Sequence, residues 1–337
     1  MPDDIEVNPA AGLQPLWNQA IVNARRRAGI RPEAVILDQN PVGGFEAFLQ
    51  DAALKKQSTA SKYDTQIMGQ IWSIKIHDRV LKAMAAHPGE IIKGIELEIE
   101  NWPENWAESS AVGFTFTEDG SLRNNGTEAV SHPNNTRGLL AVTEQLWKKF
   151  NIQSDKNFSD RTSIHVHANV FDFTGAQFKA ITLLYQVFEE LLFAYVGDDR
   201  ANNIFCVPWN QAGLTYGNYT RVFDRARVWQ KYTALNLLTV GQLGTVEFRH
   251  MHGHADFTLL AHWIQIIEDL VTTAKKADTT EIYKRVMALN TSSEYYKFLC
   301  DVFPQEHEFL VRTSREWEAH MIYGVIDAKL NAIGEQV

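Results

Sequence analysis

The stretch GIELEIE, residues 94–100, alternates glutamate with leucine or isoleucine. Side chains of a β-strand point to opposite faces in turn, so a strand here places Glu96, Glu98 and Glu100 on one face, about 7 Å apart. The apolar residues between them share the other face, as in a strand with one buried side. The stretch therefore predicts a strand of an antiparallel sheet that buries one of its faces.

The glutamate face has two interpretations. It can be a solvated sheet surface, because polar residues alternate with apolar ones in any strand that is exposed on one side. However, glutamate is a poor strand former, and like charges on one face repel. Divalent cations would account for the row, since hard cations select carboxylate oxygens. Other parts of the chain must distinguish the two interpretations.

The composition limits the classes of function. The chain has 337 residues, of which 45% are hydrophobic and 22% charged, which is typical of a globular protein. A net charge of −9 disfavours general binding to nucleic acid or membrane surfaces, which need a basic patch. The two cysteines, Cys206 and Cys300, cannot build a disulfide framework or a cysteine-rich zinc site. The acidic N-terminus lacks the apolar segment of a secretion signal, so we expect a cytoplasmic protein.

Hydrophobic periodicity divides the chain into two parts. Residues 1–90 are predicted to form a helical extension, with helices at 12–28, 44–56 and 61–87. The remainder, 91–337, mixes strands and helices. Strands are predicted at 93–101, 111–118, 163–171 and 243–251. Helices are predicted at 137–150, 176–196, 256–276, 279–289 and 318–330. Helices spread irregularly among strands indicate an α+β fold with a largely antiparallel sheet.

A second polar face occurs in SIHVHANV, residues 163–170. On a strand, His165, His167 and Asn169 point the same way. A single buried histidine is often structural. A pair at i and i+2 on one strand face is also a common way to present imidazoles to a metal. The segment alone leaves both interpretations open.

A third polar face occurs in GTVEFRHM, residues 244–251. Here Glu247 and Arg249 share one face, whereas His250 belongs to the other. The two charges can form a surface ion pair of little consequence. Alternatively, they place a metal-binding carboxylate beside a guanidinium that suits phosphate or carboxylate. A further glutamate, Glu128, follows the turn DGS at 119–121.

These segments together suggest one site. Its acidic and imidazole groups would be Glu96, Glu98, Glu128, His165 and Glu247. So much negative charge in one place is unfavourable without cations. Two divalent ions would turn the cluster into a site that handles phosphate groups.

The order of these segments resembles the putative amidoligase family, which contains carboxylate–amine ligases with a fold similar to that of glutamine synthetase. The matching segments are GIELE, DGSL leading to Glu128, HVH, KYTALN at 231–236 and TVEFR. The resemblance covers about residues 92–275. It implies that 91–337 is a catalytic domain that uses ATP with Mg²⁺ or Mn²⁺. The substrates would be small molecules or peptides that carry a carboxylate and an amine.

The resemblance also implies roles for individual residues. Glu96, His165 and Glu247 would hold one ion, and Glu98 and Glu128 the other. Arg249 and Lys231 would face the transferred phosphate or the substrate carboxylate. His167 and Asn236 would line the nucleotide or substrate site. Glu128 would also take part in catalysis, whereas Glu100, at the end of its strand, would stay outside the metal site.

Two positions depart from the family pattern. Lys231-Tyr232 stands where the family has Arg-Tyr, and lysine lacks the planar fork of arginine. Gly253-His254 stands where the family has Gly-Thr, so any substrate contact of that threonine is lost. The loop at 198–222, with Trp209 and Tyr216, is a candidate lid over the site.

Two rival functions are compatible with the same residues. His165, His167, His250, His252 and His254 together with the glutamates could form a metal-dependent hydrolase. The chain could also be a non-catalytic interaction protein that retains a ligase fold. Dependence on ATP separates the ligase from both.

Overall fold

A computed structural model describes residues 63–212, 230–276, 278–314 and 317–334. It contains one six-stranded sheet with every neighbouring pair of strands antiparallel. The strands are β1 (Lys93–Ile99), β2 (Phe114–Thr117), β3 (Thr127–Ser131), β4 (Ser163–Asn169), β5 (Leu235–Asn236) and β6 (Thr245–His252). Their order across the sheet is β2-β3-β1-β4-β6-β5. The predicted α+β class with an antiparallel sheet is confirmed.

Helices account for most of the remaining described chain. They are α1 (Met68–Ile71), α2 (Asp78–Ala86), α3 (Thr136–Phe150), α4 (Ser154–Asn157), α5 (Gly175–Val196), α6 (Leu238–Leu243), α7 (Phe257–Lys276), α8 (Thr279–Ala288), α9 (Ser292–Val302), α10 (His307–Thr313) and α11 (Trp317–Gly334). The five helices predicted after residue 136 correspond to α3, α5, α7, α8 and α11. Within these described ranges, no helix is long and apolar enough to cross a membrane.

The sheet buries one face against helices. Ile95, Leu97 and Ile99 of β1 are at most 1% exposed and belong to the main hydrophobic core. Helices α3, α5 and α7 pack on this face, and α11 packs on α5. α5 is apolar around most of its circumference, as expected of a helix enclosed on several sides. The period-2 pattern of β1 thus decides which face is covered by helices.

The prediction of one long helix over 61–87 is wrong. The chain forms only the short helix α1, turns at Ser73, whose φ is +52°, and begins α2 at Asp78. The reason is tertiary pairing: the backbone amides of Met68 and Gly69 donate to the carbonyls of Phe173 and Phe171. Gly69 is needed there, because a Cβ atom would lie 2.3 Å from the Phe171 ring. The helices predicted at 12–28 and 44–56 lie outside the described residues.

The hairpin β2–β3 is also more regular than predicted. Glu128 follows the turn at 119–121, as predicted, and lies within a strand, β3, that was not predicted. Strand pairing with both β1 and β2 imposes this conformation, since Glu128 is the register partner of Glu98 on one side and of Thr117 on the other. Glu128 therefore lies next to the glutamate row of β1.

Candidate active site

Five neighbouring strands, from β3 to β5 in the order of the sheet, bring the predicted residues to the sheet face opposite α5 and α7. Across the strand pairs, Glu96 is the register partner of His165, and Glu98 is that of Glu128. Glu247 is the register partner of His167 on one side and of Asn236 on the other. Direct cross-strand partners point to the same face. The sheet therefore assembles carboxylates, imidazoles and an amide into one continuous row.

The first cluster consists of Glu96, His167 and Glu247, whose ligand atoms lie within 4.8 Å of one another. His167 Nε2 is 3.1 Å from Glu96 Oε1 and 3.9 Å from Glu247 Oε1. His167 Nδ1 lies 3.1 Å from the Thr245 hydroxyl, a contact that can hold the ring with its Nε2 lone pair toward the carboxylates. Nε2 is buried and, among the described residues, makes no hydrogen bond of good geometry.

His165 lies between the two ends of the row. Its Nδ1 is 3.2 Å from Glu96 Oε2 and 3.3 Å from Glu247 Oε1, and its Nε2 is 2.9 Å from the Ser163 hydroxyl. Both ring nitrogens thus have neighbours. The structure brings His165 to the predicted place, but in this arrangement His167 completes the group that could hold one ion.

The second cluster consists of Glu98, Glu128 and Asp119, again with ligand atoms within 4.8 Å. Asp119 lies in the β2–β3 connection and was missed as a ligand, although it begins the turn DGS. Its position two residues after Thr117, the register partner of Glu128, was the signal that could have identified it. Glu98 Oε2 accepts hydrogen bonds from the Ser163 backbone amide at 2.7 Å and hydroxyl at 2.6 Å.

The electrostatics of the two clusters differ. Burial alone would raise the pKa of Glu96, but the close contacts and charges of the His165 and His167 rings hold it far below its usual range. The pKa of Glu247 is also lowered, because the charges of His167, His165 and Arg249 outweigh burial, which would raise it. In contrast, burial and then the charges of Glu96, Glu98 and Asp119 raise the pKa of Glu128 to about 7. The second cluster therefore carries uncompensated negative charge, which a cation would relieve.

Arg249 is held beside the first cluster. Its Nη1 donates to Glu247 Oε1, and its Nε donates to the Phe205 carbonyl at 3.3 Å. Its guanidinium carbon lies 6.0 Å from the centre of the Tyr232 ring, over which Lys231 Nζ also lies, at 5.6 Å. Two cations and an aromatic ring thus border one end of the carboxylate row.

Asn236 has a more definite role than the sequence indicated. Its side-chain amide donates to Glu247 Oε2 at 2.6 Å, and its Oδ1 accepts from the Leu238 backbone amide. Glu247 is thus held by Asn236 on one oxygen and by Arg249 on the other. This arrangement positions the carboxylate toward His165 and His167.

A cavity of about 640 Å³ opens at the other end of the row, next to Glu96 and His167. Apolar side chains form much of its wall, among them Ile76 and Val80. Lys75, which precedes α2, and Arg79, in the first turn of α2, also line it. The carboxylate row therefore separates an open, mostly apolar cavity from the Arg249 end.

The later histidines do not join the site. His250 is fully buried on the helix-covered face, with Nε2 3.0 Å from the Tyr185 hydroxyl. His252 pairs with Asp199 at 2.8 Å, and His254 Nδ1 accepts from the Asp256 backbone amide. The five-histidine site of the hydrolase hypothesis is therefore not assembled, because strand alternation sends His250 to the opposite face.

Two peripheral predictions concern Glu100 and a lid over the site. Glu100 accepts hydrogen bonds from Arg123 and belongs to neither cluster. The prediction that Trp209 belongs to a lid is wrong, because Trp209 is 4% exposed and its backbone amide donates to Glu189 of α5. Tyr216 lies outside the described residues.

No known protein family and no curated protein matches this sequence. Among solved structures, the chain is similar to a bifunctional glutathione synthetase from Pasteurella multocida, with 10% sequence identity and a TM-score of 0.36. The alignment covers 78% of this chain and 53% of that one, so the chain spans about half the length of this neighbour. Similarity at this level does not establish a common fold or a common activity.

Proposed function

We propose that this protein is an ATP-dependent ligase that joins a carboxylate to an amine, on a sheet of the glutamine synthetase kind. The observation that carries the proposal is the pair of acidic clusters side by side on β1, one with Glu96 and the other with Glu98, with Arg249 adjacent. Two neighbouring metal sites suit a polyphosphate, whose several oxygens can contact both ions. A single carboxylate or water molecule would need fewer contacts.

The residues present fit divalent cations. His167 Nε2 is buried, lacks a hydrogen bond of good geometry within the described part of the chain and faces two carboxylates. Glu96, His167 and Glu247 would hold one ion, with His165 beside them. Glu98, Glu128 and Asp119 would hold the other. When bound, Mg²⁺ or Mn²⁺ would neutralise the β- and γ-phosphates of ATP and polarise the transferred phosphoryl group.

The two ends of the row would receive different parts of the reactants. The cavity beside Glu96 and His167 is large enough for a nucleoside and offers apolar walls to a base. At the opposite end, Arg249 would bind the substrate carboxylate or the phosphoryl group in flight. Two of its nitrogens are oriented by Glu247 and Phe205, so the guanidinium can meet an anion without rearranging. Lys231 would add a second positive charge there.

The proposed ligase reaction has two steps. The γ-phosphoryl group moves from ATP to a carboxylate oxygen, which gives ADP and an acyl phosphate. The amine nitrogen then bonds to the acyl carbon, and phosphate leaves. A carboxylate of the second cluster, with Glu128 the assigned residue, would accept the amine proton. Burial of the site protects the acyl phosphate from water.

The test is turnover with ATP, Mg²⁺ and pooled amino acids and peptides, measured as release of ADP and phosphate. Hydroxylamine in place of the amine traps an acyl phosphate as a hydroxamate, whose mass identifies the carboxylate substrate. Glu247→Gln should abolish turnover. Glu100→Gln, on the same face but outside both clusters, should retain it.

Two results would contradict the proposal. Hydrolysis of peptides or esters without ATP would favour the metal-dependent hydrolase. Tight metal binding with no ADP release under any substrate pool would favour a non-catalytic interaction protein.

A further inference from the structure

A β-bulge interrupts β6 beside the first cluster. The register with β4 pairs Val166 with Phe248 but Ile164 with Met251, so β6 has one residue more than β4 in this interval. Arg249 and His250 are the two residues that oppose His165. A bulge bends its strand and redirects side chains, and it leaves backbone groups without ladder partners. The direction of the Arg249 side chain therefore depends on how this bulge is held.

Arg200 binds the backbone of the bulge directly. Its Nε donates to the His250 carbonyl at 2.6 Å, and its Nη2 donates to the Arg249 carbonyl at 2.8 Å. The Arg200 residue is 2% exposed. The register of β5 with β6 extends to Phe248, and one further hydrogen bond runs from the Arg249 amide to the Ala234 carbonyl, so the guanidinium lies just beyond the last contact of the edge strand. Arg200 thus supplies donors to two carbonyls beyond the last β5 contact, and its fork suits adjacent carbonyls.

The segment that carries Arg200 also contacts the Arg249 side chain. Phe205, five residues later, accepts the hydrogen bond from Arg249 Nε. The end of this segment is tied to α5, because the Trp209 amide donates to Glu189. Glu189 also accepts from Tyr185, whose hydroxyl lies 3.0 Å from His250 Nε2. The segment from Arg200 to Trp209 and helix α5 are therefore connected. Together they hold the bulge backbone, the His250 side chain and the Arg249 guanidinium.

We propose that Arg200 is a positioning residue that aims the Arg249 guanidinium at the phosphate end of the site. The inference rests on the proposed function for the role of Arg249. Without the Arg200 fork, two buried carbonyls lose their donors, and the bulge shifts to regain partners. Arg249 then no longer presents its guanidinium between Glu247 and the Phe205 carbonyl. Arg200 donates to the bulge backbone and also lies beside the Cys206 thiol, so its effect on an anion passes through Arg249.

The test uses the full chain and the variants Arg200→Lys and Arg200→Gln, with Arg285→Lys as the control. Arg285 pairs with Asp301 on the helical side and has no contact with the bulge. In protein labelled with ¹⁵N-arginine, the Nε–Hε signal of Arg249 is assigned by its loss in Arg249→Lys. We expect this signal to shift or broaden in both Arg200 variants and to stay unchanged in Arg285→Lys.

A second measurement tests whether the effect passes through Arg249. Affinity for inorganic phosphate and for Mg·ADP should fall about tenfold in Arg200→Lys, the scale of one lost charged hydrogen bond. In the Arg249→Lys background, Arg200→Lys should cost little more. This non-additivity is the signature of one residue that acts through another.

Three results would overturn the inference. They are an unchanged Arg249 signal in a folded Arg200→Lys variant, additive losses in the double variant, and loss of the folded state in both Arg200 variants. The last would make Arg200 a support of the fold as a whole. If the wild-type protein binds neither phosphate nor Mg·ADP, the proposed function fails, but the Arg249 signal still decides the positioning role.

Discussion

Glu96 on β1 and His165 on β4 are direct cross-strand partners, and His165 Nδ1 lies 3.2 Å from Glu96 Oε2. The pair joins the two acidic clusters, since Glu98 lies 3.9 Å from the other ring nitrogen of His165. One imidazole thus contacts carboxylates from both. A change in one cluster should therefore affect the other through His165.

Arg249→Lys should reduce ATP turnover by on the order of 100-fold, because a point charge cannot reproduce the planar fork. The thermal unfolding midpoint should change little, because lysine retains the charge beside Glu247. Steady-state kinetics and a melting curve measure both, with Arg285→Lys as the matched control. Normal turnover, or a lysine variant that does not fold, would show that Arg249 is structural.

His167→Ala and His165→Ala should each weaken Mn²⁺ binding by about tenfold or more, the scale of losing support at a metal site. His167→Ala should have the larger effect, since its Nε2 is directed at Glu96 and Glu247. Titration followed by electron paramagnetic resonance measures bound Mn²⁺. His252→Gln, on the same sheet but paired with Asp199, is the control. Unchanged affinity in both alanine variants would contradict the cluster assignment.

Asp119→Asn tests the ligand that the sequence did not suggest. Divalent ions that bind only the folded state raise its stability by RT ln(1 + [L]/Kd). We expect Mn²⁺ to raise the melting temperature of the wild-type protein and to raise it less in Asp119→Asn. Asp160→Asn serves as the comparison, since its carboxylate is 91% exposed and lies outside both clusters. An equal rise in all three proteins would remove Asp119 from the site.

Glu128→Gln should have opposite effects on stability and on metal binding. The pKa of Glu128 is raised to about 7, so its contribution to folding is present at low pH and is lost as the pH rises from about 4.5 through 7. At pH 8 and without metal, the neutral amide should stabilise the protein by on the order of 1 kcal/mol. It should also weaken Mn²⁺ binding. Urea unfolding with and without Mn²⁺ checks both effects, and destabilisation by glutamine without metal would contradict the charge argument.

His250→Gln should alter the pH dependence of stability. Burial, together with the charge of Arg200, lowers the pKa of His250 to about 3. A neutral buried histidine contributes stability that is present above its unfolded pKa of about 6.5 and is lost toward pH 3, at about 1.4 kcal/mol per pH unit. Between pH 6.5 and 4.5, the wild-type protein should therefore lose more stability than His250→Gln. Identical slopes in urea unfolding would contradict this. At pH 7.5 the variant should be less stable, because Tyr185 loses its imidazole partner.

The sequence alone determined which residues share a face. Side-chain alternation in a strand is a local property, so GIELEIE, SIHVHANV and TVEFR were sufficient to separate Glu96, Glu98, His165, His167, Glu247 and Arg249 from the core residues between them. The same rule correctly sent His250 to the helix-covered side. The long amphipathic or apolar helices, such as α5 and α7, were likewise predicted from their periodicity.

Tertiary structure alone decided how those faces meet. Strand order and register depend on contacts between distant parts of the chain, so only the fold put Asp119 with Glu98 and Glu128, and His167 rather than His165 in the group that could hold one ion. The bulge at Arg249 and the donors from Arg200 depend on how far the pairing of β6 with its neighbours β4 and β5 extends. The break between α1 and α2 has the same origin, since backbone pairing with the 171–173 segment outweighs local helix propensity. Local sequence specifies the face of a strand to which each side chain points. Register and long-range hydrogen bonds specify which groups come within reach of one ion or one anion.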